Sequence, residues 1–223
     1  MTPRVVVLSA PSGGGKTTLS RALLARRSDV GYSVSATTRQ PREGERNGEA
    51  YYFLTRDEFL KRQANGDFLE TAWYAGELYG TLKSEVERVL ALGKHVLLDI
   101  EVQGAIQVRR QFPRPRSVSV FILPPSAEVL VRRLRLRQSE SGQTLQLRLE
   151  QARDELRRAQ QDVAGAVLYD YWIVNDDLEQ AVAEVSDIID APEQEGHRVD
   201  PVIIGEIIRG LAAELSQLKQ THS

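Results

Sequence analysis

Cysteine is absent from all 223 residues, which excludes disulfides, thiol catalysis and zinc sites of the Cys-rich kind. Histidine is scarce, and His95, His197 and His222 are scattered without metal-ligand spacing. Nowhere do about 18 apolar residues run together, the length that a membrane-spanning helix needs. The N-terminal "MTPR" leads straight into a short apolar strand rather than into the longer apolar segment of a signal peptide. Neither charge sign dominates, with 29 Lys and Arg against 31 Asp and Glu, so no global field draws the chain to nucleic acid or to an anionic membrane. These absences lead us to expect a cytoplasmic enzyme or binding protein with no nucleic-acid and no membrane partner.

What is present is ordinary globular material, 41% hydrophobic and 27% charged, enough for one good core. The runs "RVVVLSA" (4 to 10), "HVLLDI" (95 to 100), "SVSVFIL" (117 to 123) and "YWIV" (171 to 174) are rich in β-branched residues and read as strands buried on both faces. Each is followed by a segment of helical period, so the expected class is α/β, a mostly parallel sheet flanked by helices. Ser84 and Glu87 have the spacing of a capping box ahead of "VERVLALG", with Gly93 closing that helix. From about 32 to 92 the alternation breaks into a Gly-, Tyr- and Arg-rich insertion with a small sheet of its own around "YYFL". A second departure, 132 to 163, joins two arginine-rich helical patterns across "QSESGQT". Beyond a linker at 191 to 200, residues 201 to 223 place Ile204, Ile208, Leu211, Leu215 and Leu218 at spacings of four and three. That stripe suits docking on the core and dimerisation or a partner contact about equally.

The strongest chemical signal is "LSAPSGGGKTTL", residues 8 to 19, between the first strand and a helix. It follows the P-loop pattern G-x-x-x-x-G-K-[ST] with Ala10 in place of the first glycine. Gly13, Gly14 and Gly15 let the backbone curl so that several N–H groups converge on phosphate oxygens, and the helix adds its positive end. Lys16 would reach the β- and γ-phosphates and Thr17 would place its hydroxyl on Mg²⁺. Asp99 ends "HVLLDI", a strand terminus suited to supporting the metal and its waters. Such a loop implies a nucleoside triphosphate and leaves open where the phosphoryl group goes.

The stretch "SVSATTRQPREGERNGEAYYF" (33 to 53) crowds hydroxyls and arginines with almost nothing apolar to bury. An acceptor that is itself a phosphate monoester needs such groups, which pair with its oxygens by charge-assisted, directional bonds. Ser35, Arg39, Arg42 and Tyr51 supply them, while "FLETAWYAGELYGTLKS" adds Glu70, Tyr79 and Thr81. A carboxylate accepts two parallel hydrogen bonds from guanine N1–H and its exocyclic amine, whereas adenine N1 would confront it with a lone pair.

At these residues the chain resembles the guanylate kinase family, which moves a phosphoryl group from ATP to GMP. The family's S-x-T-T-R-x-P-R-x-G-E-x-x-G-x-x-Y run stands here as "SATTRQPREGERNGEAY". The resemblance implies that Ser35, Arg39, Arg42 and Tyr51 hold the GMP phosphate, with Glu70, Tyr79, Thr81, Asp99, Glu101 and Asn175 completing the acceptor site. It implies ATP binding by Ala10, Pro11, Ser12, Gly13, Gly14, Gly15, Lys16, Thr17 and Thr18, with Mg²⁺ on Thr17 and Asp99. Catalytic roles fall to Lys16 and Arg39 and to the cationic positions of a helical lid, Arg133, Arg137 and Arg148. The implied fold is of the P-loop NTPase type, carrying a small mixed GMP-binding insertion and that lid. Leu136 and Gln138 stand where the family's lid carries glycines, and Glu77 and Leu78 where it has Asn and Tyr. Two other readings remain at this point. One is a noncatalytic guanylate-kinase-like interaction module, which degraded P-loops mark; the other is a kinase acting on a different small phosphate ester such as a ribose bisphosphate.

Overall fold

A computed structural model of the chain describes residues 2–74, 76–136, 145–163, 166–191 and 200–221. Arg137 and Gln138, the "QSESGQT" turn and most of the 191 to 200 linker lie outside the described residues. The chain divides into two compact units, one of residues 1–7 and 24–118, the other of 8–23 and 119–223.

The elements follow in the order β1 (Val5–Ser9), α1 (Lys16–Arg26), β2 (Val30–Tyr32), β3 (Ser35–Thr37), β4 (Tyr52–Phe53), α2 (Arg56–Ala64), β5 (Phe68–Tyr74), β6 (Glu77–Leu82), α3 (Lys83–Ala91), β7 (His95–Asp99) and α4 (Val102–Gln111). Then come β8 (Ser117–Leu123), α5 (Ala127–Leu136), α6 (Leu145–Ala159), β9 (Asp162–Val163), β10 (Ala166–Val167), β11 (Tyr171–Val174), α7 (Leu178–Asp190) and α8 (Pro201–Thr221). The main sheet has the order β11-β8-β1-β7-β2, with β2 parallel to β7 and β11 parallel to β8. Every residue of β1 and β8 is buried, Ser9, Ser117 and Ser119 included, as in strands covered on both faces. β11 departs from that expectation: Tyr171 and Ile173 are buried, but Trp172 and Val174 only in part, because it is the edge strand.

In the unit of residues 1–7 and 24–118 the insertion forms its own four-stranded sheet, order β4-β3-β6-β5. It is mixed, since β3 runs parallel to β4 and antiparallel to β6. Its core is Ala36, Phe59, Phe68 and Leu82, with Tyr52, Leu54 and Leu78 packed around them. Phe59 and Phe68 stack at 4.4 Å between centroids, and burying each contributes about 1.5–3 kcal/mol. The capping box expected at Ser84 and Glu87 does not form. α3 starts at Lys83 behind an N-cap Leu82 that makes no side-chain bond, because the Lys83 N–H donates to the Asp67 carbonyl at 2.9 Å. That bond fixes the start of the helix before Ser84 is reached. The capping box lies instead at Thr55 and Glu58, opening α2.

In the unit of residues 8–23 and 119–223, α5 and α6 bury Leu130, Leu134, Leu149 and Leu156. The C-terminal helix α8 packs on both of them, so it docks within its own unit. Its buried residues are Ile204, Ile207, Leu211 and Leu215. Of the expected stripe, Ile208 and Leu218 are only half-buried, while Ile207, outside it, turns inward because a helix covering two neighbours buries a wider stripe than one heptad seam. Gly210 rests against the Ala127 side chain with no room for a Cβ, and Arg135 pairs with Glu214. The helix therefore accepts a residue of poor helix propensity in exchange for close approach.

Candidate functional site

The P-loop half belongs to the unit of residues 8–23 and 119–223. β1 ends at Ser9, Ala10 and Pro11 are buried, and Gly13 and Gly15 adopt φ of 83° and 95°, a region open to glycine and costly for other residues. Lys16 opens α1, with Thr17 and Thr18 exposed on its first turn. The first amides of that helix have no carbonyl partner within it, and with the helix dipole they form a cradle for anions.

Three side chains from distant parts of the chain hold this loop from outside. The Ser12 N–H donates to Glu155 Oε2 of α6 at 2.7 Å. Asn175 Nδ2 donates to the Gly14 carbonyl at 3.2 Å, so close over Gly15 that a Cβ there would collide with it. Arg133 of α5 donates to the Gly14 carbonyl at 3.5 Å and to the Asn175 carbonyl at 3.2 Å. Asn175, expected in the acceptor site by resemblance, thus lies against the P-loop. Arg148 is buried on α6 at 5% exposure, whereas Leu136 stands exposed at 74%.

The insertion half lies wholly in the other unit. Arg39 Nη2 donates to both oxygens of Glu45, at 2.9 and 3.0 Å, and Nη1 to the Gln40 carbonyl at 2.7 Å. The guanidinium lies 5.4 Å from the Tyr51 ring centroid and 5.8 Å from that of Phe53. Burial opposes the Arg39 charge, but the hydrogen bond and charge of Glu45, with Tyr79 adding to them, hold it above its ordinary value. The Arg39 hydrogen bond holds Glu45 below its own. Tyr51 and Tyr79 meet edge to face at 6.0 Å, so Arg39, Tyr51 and Tyr79 form one cluster. Ser35 sits across from Thr81 in the β3–β6 register. Arg42 is exposed, and its N–H donates to Glu45 Oε2 at 2.7 Å.

Glu70 is 4% exposed and Thr81 fully buried, and Thr81 Oγ1 donates to Glu70 Oε1 at 2.7 Å. A buried carboxylate is costly unless its oxygens are bonded, and the Thr81 hydroxyl offsets part of that cost. Asp99 closes β7, and Glu101 is the N-cap residue of α4 without a capping bond from its side chain. Tyr52, which the motif left without a role, donates to Glu85 Oε1 at 3.1 Å and serves the scaffold. Glu77, in the place of the family's Asn, accepts from Thr38 Oγ1 at 2.5 Å and ties β6 to the end of β3.

Sequence reasoning missed Glu45, Glu85, Gln107 and Glu155. Glu45 and Glu85 had local signals: a carboxylate three residues after Arg42 in a turn reaches back to its N–H, and Glu85 stands three residues before Arg88 on one helix. Glu155 meets Ser12 across 143 positions, a separation that no local pattern announces.

A family model described as guanylate kinase matches residues 2–192. A guanylate kinase of Trichormus variabilis is 46% identical over 182 residues, covering 82% of this chain and 87% of the relative. One of Thermus thermophilus is 44% identical over 214 residues, 96% of this chain and 93% of that protein. An alignment that long runs into α8, which lies beyond the family match. Among solved structures, a guanylate kinase from Anaplasma phagocytophilum superposes with a TM-score of 0.63 at 33% identity, covering 86% of this chain and 87% of that one.

Proposed function

Because the chain belongs to the guanylate kinase family, we propose that it transfers the γ-phosphoryl group of ATP to GMP, and to dGMP, by direct in-line displacement, yielding ADP and the nucleoside diphosphate. The observation that carries the choice of acceptor is the buried Glu70–Thr81 pair. With Thr81 bonded to Oε1, the carboxylate keeps acceptor capacity for the N1–H and amine of guanine, which adenine cannot match. The Arg39, Tyr51 and Tyr79 cluster, with Ser35 and Arg42, supplies the donors that a phosphate monoester takes. An intact Lys16–Thr17 pair after three glycines speaks for catalysis over a binding-only module, and Glu70, Thr81 and Tyr51 together speak against a ribose phosphate as acceptor.

Bringing two polyanions together demands that repulsion be neutralised, the acceptor oxygen be held in line and water be excluded. In this reading Lys16, Arg133, Arg137 and Arg148 spread charge over the triphosphate, with backbone amides at the end of the P-loop and in the first turn of α1 cradling its oxygens. Arg39 and Arg42 hold the acceptor phosphate, Ser35, Tyr51 and Tyr79 orient it, and Asp99, Glu101 and Asn175 border the reacting groups. No general base is needed, since a phosphate monoester with a second pKa of about 6 is largely ionised at neutral pH.

Mg²⁺ would accompany ATP. Among the described residues no group of three acidic or histidine side chains could hold a metal ion unaided. That donor set fits an ion carried mainly by nucleotide phosphates and water, with few protein oxygens. Thr17, exposed beside the P-loop, would ligate it, and Asp99 would orient its waters. When bound, the ion neutralises charge on the β- and γ-phosphate oxygens. Nucleotide substrates and a cysteine-free chain suit a cytoplasmic enzyme, and among the described residues no helix is long and apolar enough to cross a membrane.

A coupled assay with ATP and GMP, dGMP, AMP or UMP tests the reading. GMP and dGMP should turn over at least about 100-fold more efficiently than AMP or UMP. Folded protein that shows no turnover with GMP would overturn it.

A further inference from the structure

The strand that carries Glu70 is an edge strand, since β5 ends its sheet. Three backbone groups flanking Glu70, the Thr71 N–H and carbonyl and the Leu69 carbonyl, are nevertheless bonded by side chains of α4. Gln107 Oε1 accepts from the Thr71 N–H at 3.1 Å, and Gln107 Nε2 donates to the Thr71 carbonyl at 2.7 Å. Gln111 Nε2 donates to the Leu69 carbonyl at 2.6 Å. The Gln107 amide thus donates and accepts at one residue as a neighbouring strand would. Gln107 and Gln111 share one helix face, and Gly104 precedes them on it by one turn.

At Gly104 the helix backbone meets the Glu70 side chain. A Cβ on residue 104 would collide with Oε2 and stand 2.9 Å from the carboxyl carbon. The β5–β6 register also shifts between Phe68 and Glu70, an irregularity that re-aims a side chain. The carboxylate is therefore confined from two sides, by Thr81 at Oε1 and by the bare backbone of Gly104 at Oε2.

We propose that Gly104, Gln107 and Gln111 form a positioning face that sets the guanine-reading carboxylate of Glu70. The amides lock the β5 backbone on both sides of Glu70, and the missing side chain at 104 leaves room for its head group. The inference rests on the reading of Glu70 given above. It adds that base selectivity depends on α4, although the three residues need not touch the nucleotide.

The test is a double-mutant cycle of Gly104→Ala in the wild type and in Glu70→Ala, with KM for GMP, IMP and ATP and thermal stability measured for each. In the wild type, Gly104→Ala should raise KM for GMP about 10-fold or more, draw the GMP to IMP ratio toward one, and leave KM for ATP within about twofold. In the Glu70→Ala background the same change should leave KM for GMP unaltered. It should also raise Tm there, because alanine is the better helix former once the collision is gone. Gln107→Met should raise KM for GMP by a smaller factor and spare ATP. An equal GMP penalty in both backgrounds, or parallel losses for GMP and ATP, would overturn the proposal. If Gly104→Ala unfolds the wild type but not Glu70→Ala, the collision is confirmed; unfolding in both overturns it. Wild-type protein without preference for GMP over IMP and AMP would instead remove the reading of Glu70 itself.

Discussion

The carboxylate of Glu155, on α6, accepts a 2.7 Å hydrogen bond from the backbone N–H of Ser12 in the P-loop. With Arg133 and Asn175 bonded to the Gly14 carbonyl, it holds the loop curled before any phosphate arrives. A hydrogen bond to a charged group is worth about 1.5–3 kcal/mol. Glu155→Ala should lower stability by that order and raise KM for ATP several-fold with KM for GMP unchanged. Glu155→Gln, which keeps an acceptor oxygen, should fall between. Thermal unfolding and initial rates check both.

Glu70→Gln should relax base selectivity. The amide offers a donor to guanine's own donors and leaves one of them unmatched, an arrangement that costs about 1–3 kcal/mol, or roughly 10- to 100-fold. We expect kcat/KM for GMP to fall by that factor and the AMP to GMP ratio to rise. Arg42→Ala should raise KM for GMP without changing the order of bases. Unchanged selectivity in Glu70→Gln would count against its role.

Acid should weaken the insertion through Glu85. Hydrogen bonds from Arg88, Tyr52 and the Val34 N–H hold its carboxyl below the ordinary value of 4.5. A lowered folded-state pKa means a contribution present above about pH 4.5 and lost as the pH falls through the folded value. Glu85→Gln should therefore be less stable than the wild type at neutral pH, and the gap should narrow as the pH falls below 4.5 and close once the pH has passed the folded-state value. Urea unfolding at a series of pH values reads this directly. Glu45, lowered by Arg39, acts in the same direction.

Removing residues 196 to 223 should expose the surfaces of α5 and α6 that Ile204, Ile207, Leu211 and Leu215 cover. We expect a fall in Tm of several degrees, corresponding to a few kcal/mol, and binding of a hydrophobic dye that the full chain does not bind. Gly210→Val, which would press on Ala127, should reproduce part of the loss. Truncated protein as stable as the full chain would show that α8 contributes no packing energy.

The main strands were legible because fully buried runs such as "VVVLS" and "SVSVFIL" have no helical reading that hides them, and the structure places β1 and β8 there. The start of α3 was not, because a carbonyl from Asp67 outweighed the local capping pattern of Ser84. In the candidate site, Glu70 and Thr81 stand 11 positions apart, yet the antiparallel register of β5 and β6 makes them partners. Their pairing could be suspected only from a motif, since spacing alone does not specify a register.

The order of residues by itself determined the α/β class, the phosphate-binding loop and the inventory of groups for an acceptor phosphate and a guanine. These depend on local chemistry: glycines where a backbone must curl, a lysine and a hydroxyl at set distances after them, arginines and tyrosines on a polar loop. Only the tertiary structure decided which groups hold those residues in place. Glu155 on Ser12, Asn175 on Gly14 and Gly104 against Glu70 join segments 34 to 161 positions apart. Such contacts arise when packed elements bring buried polar groups together and each must find a partner, a condition set by the fold and not by neighbours in the chain.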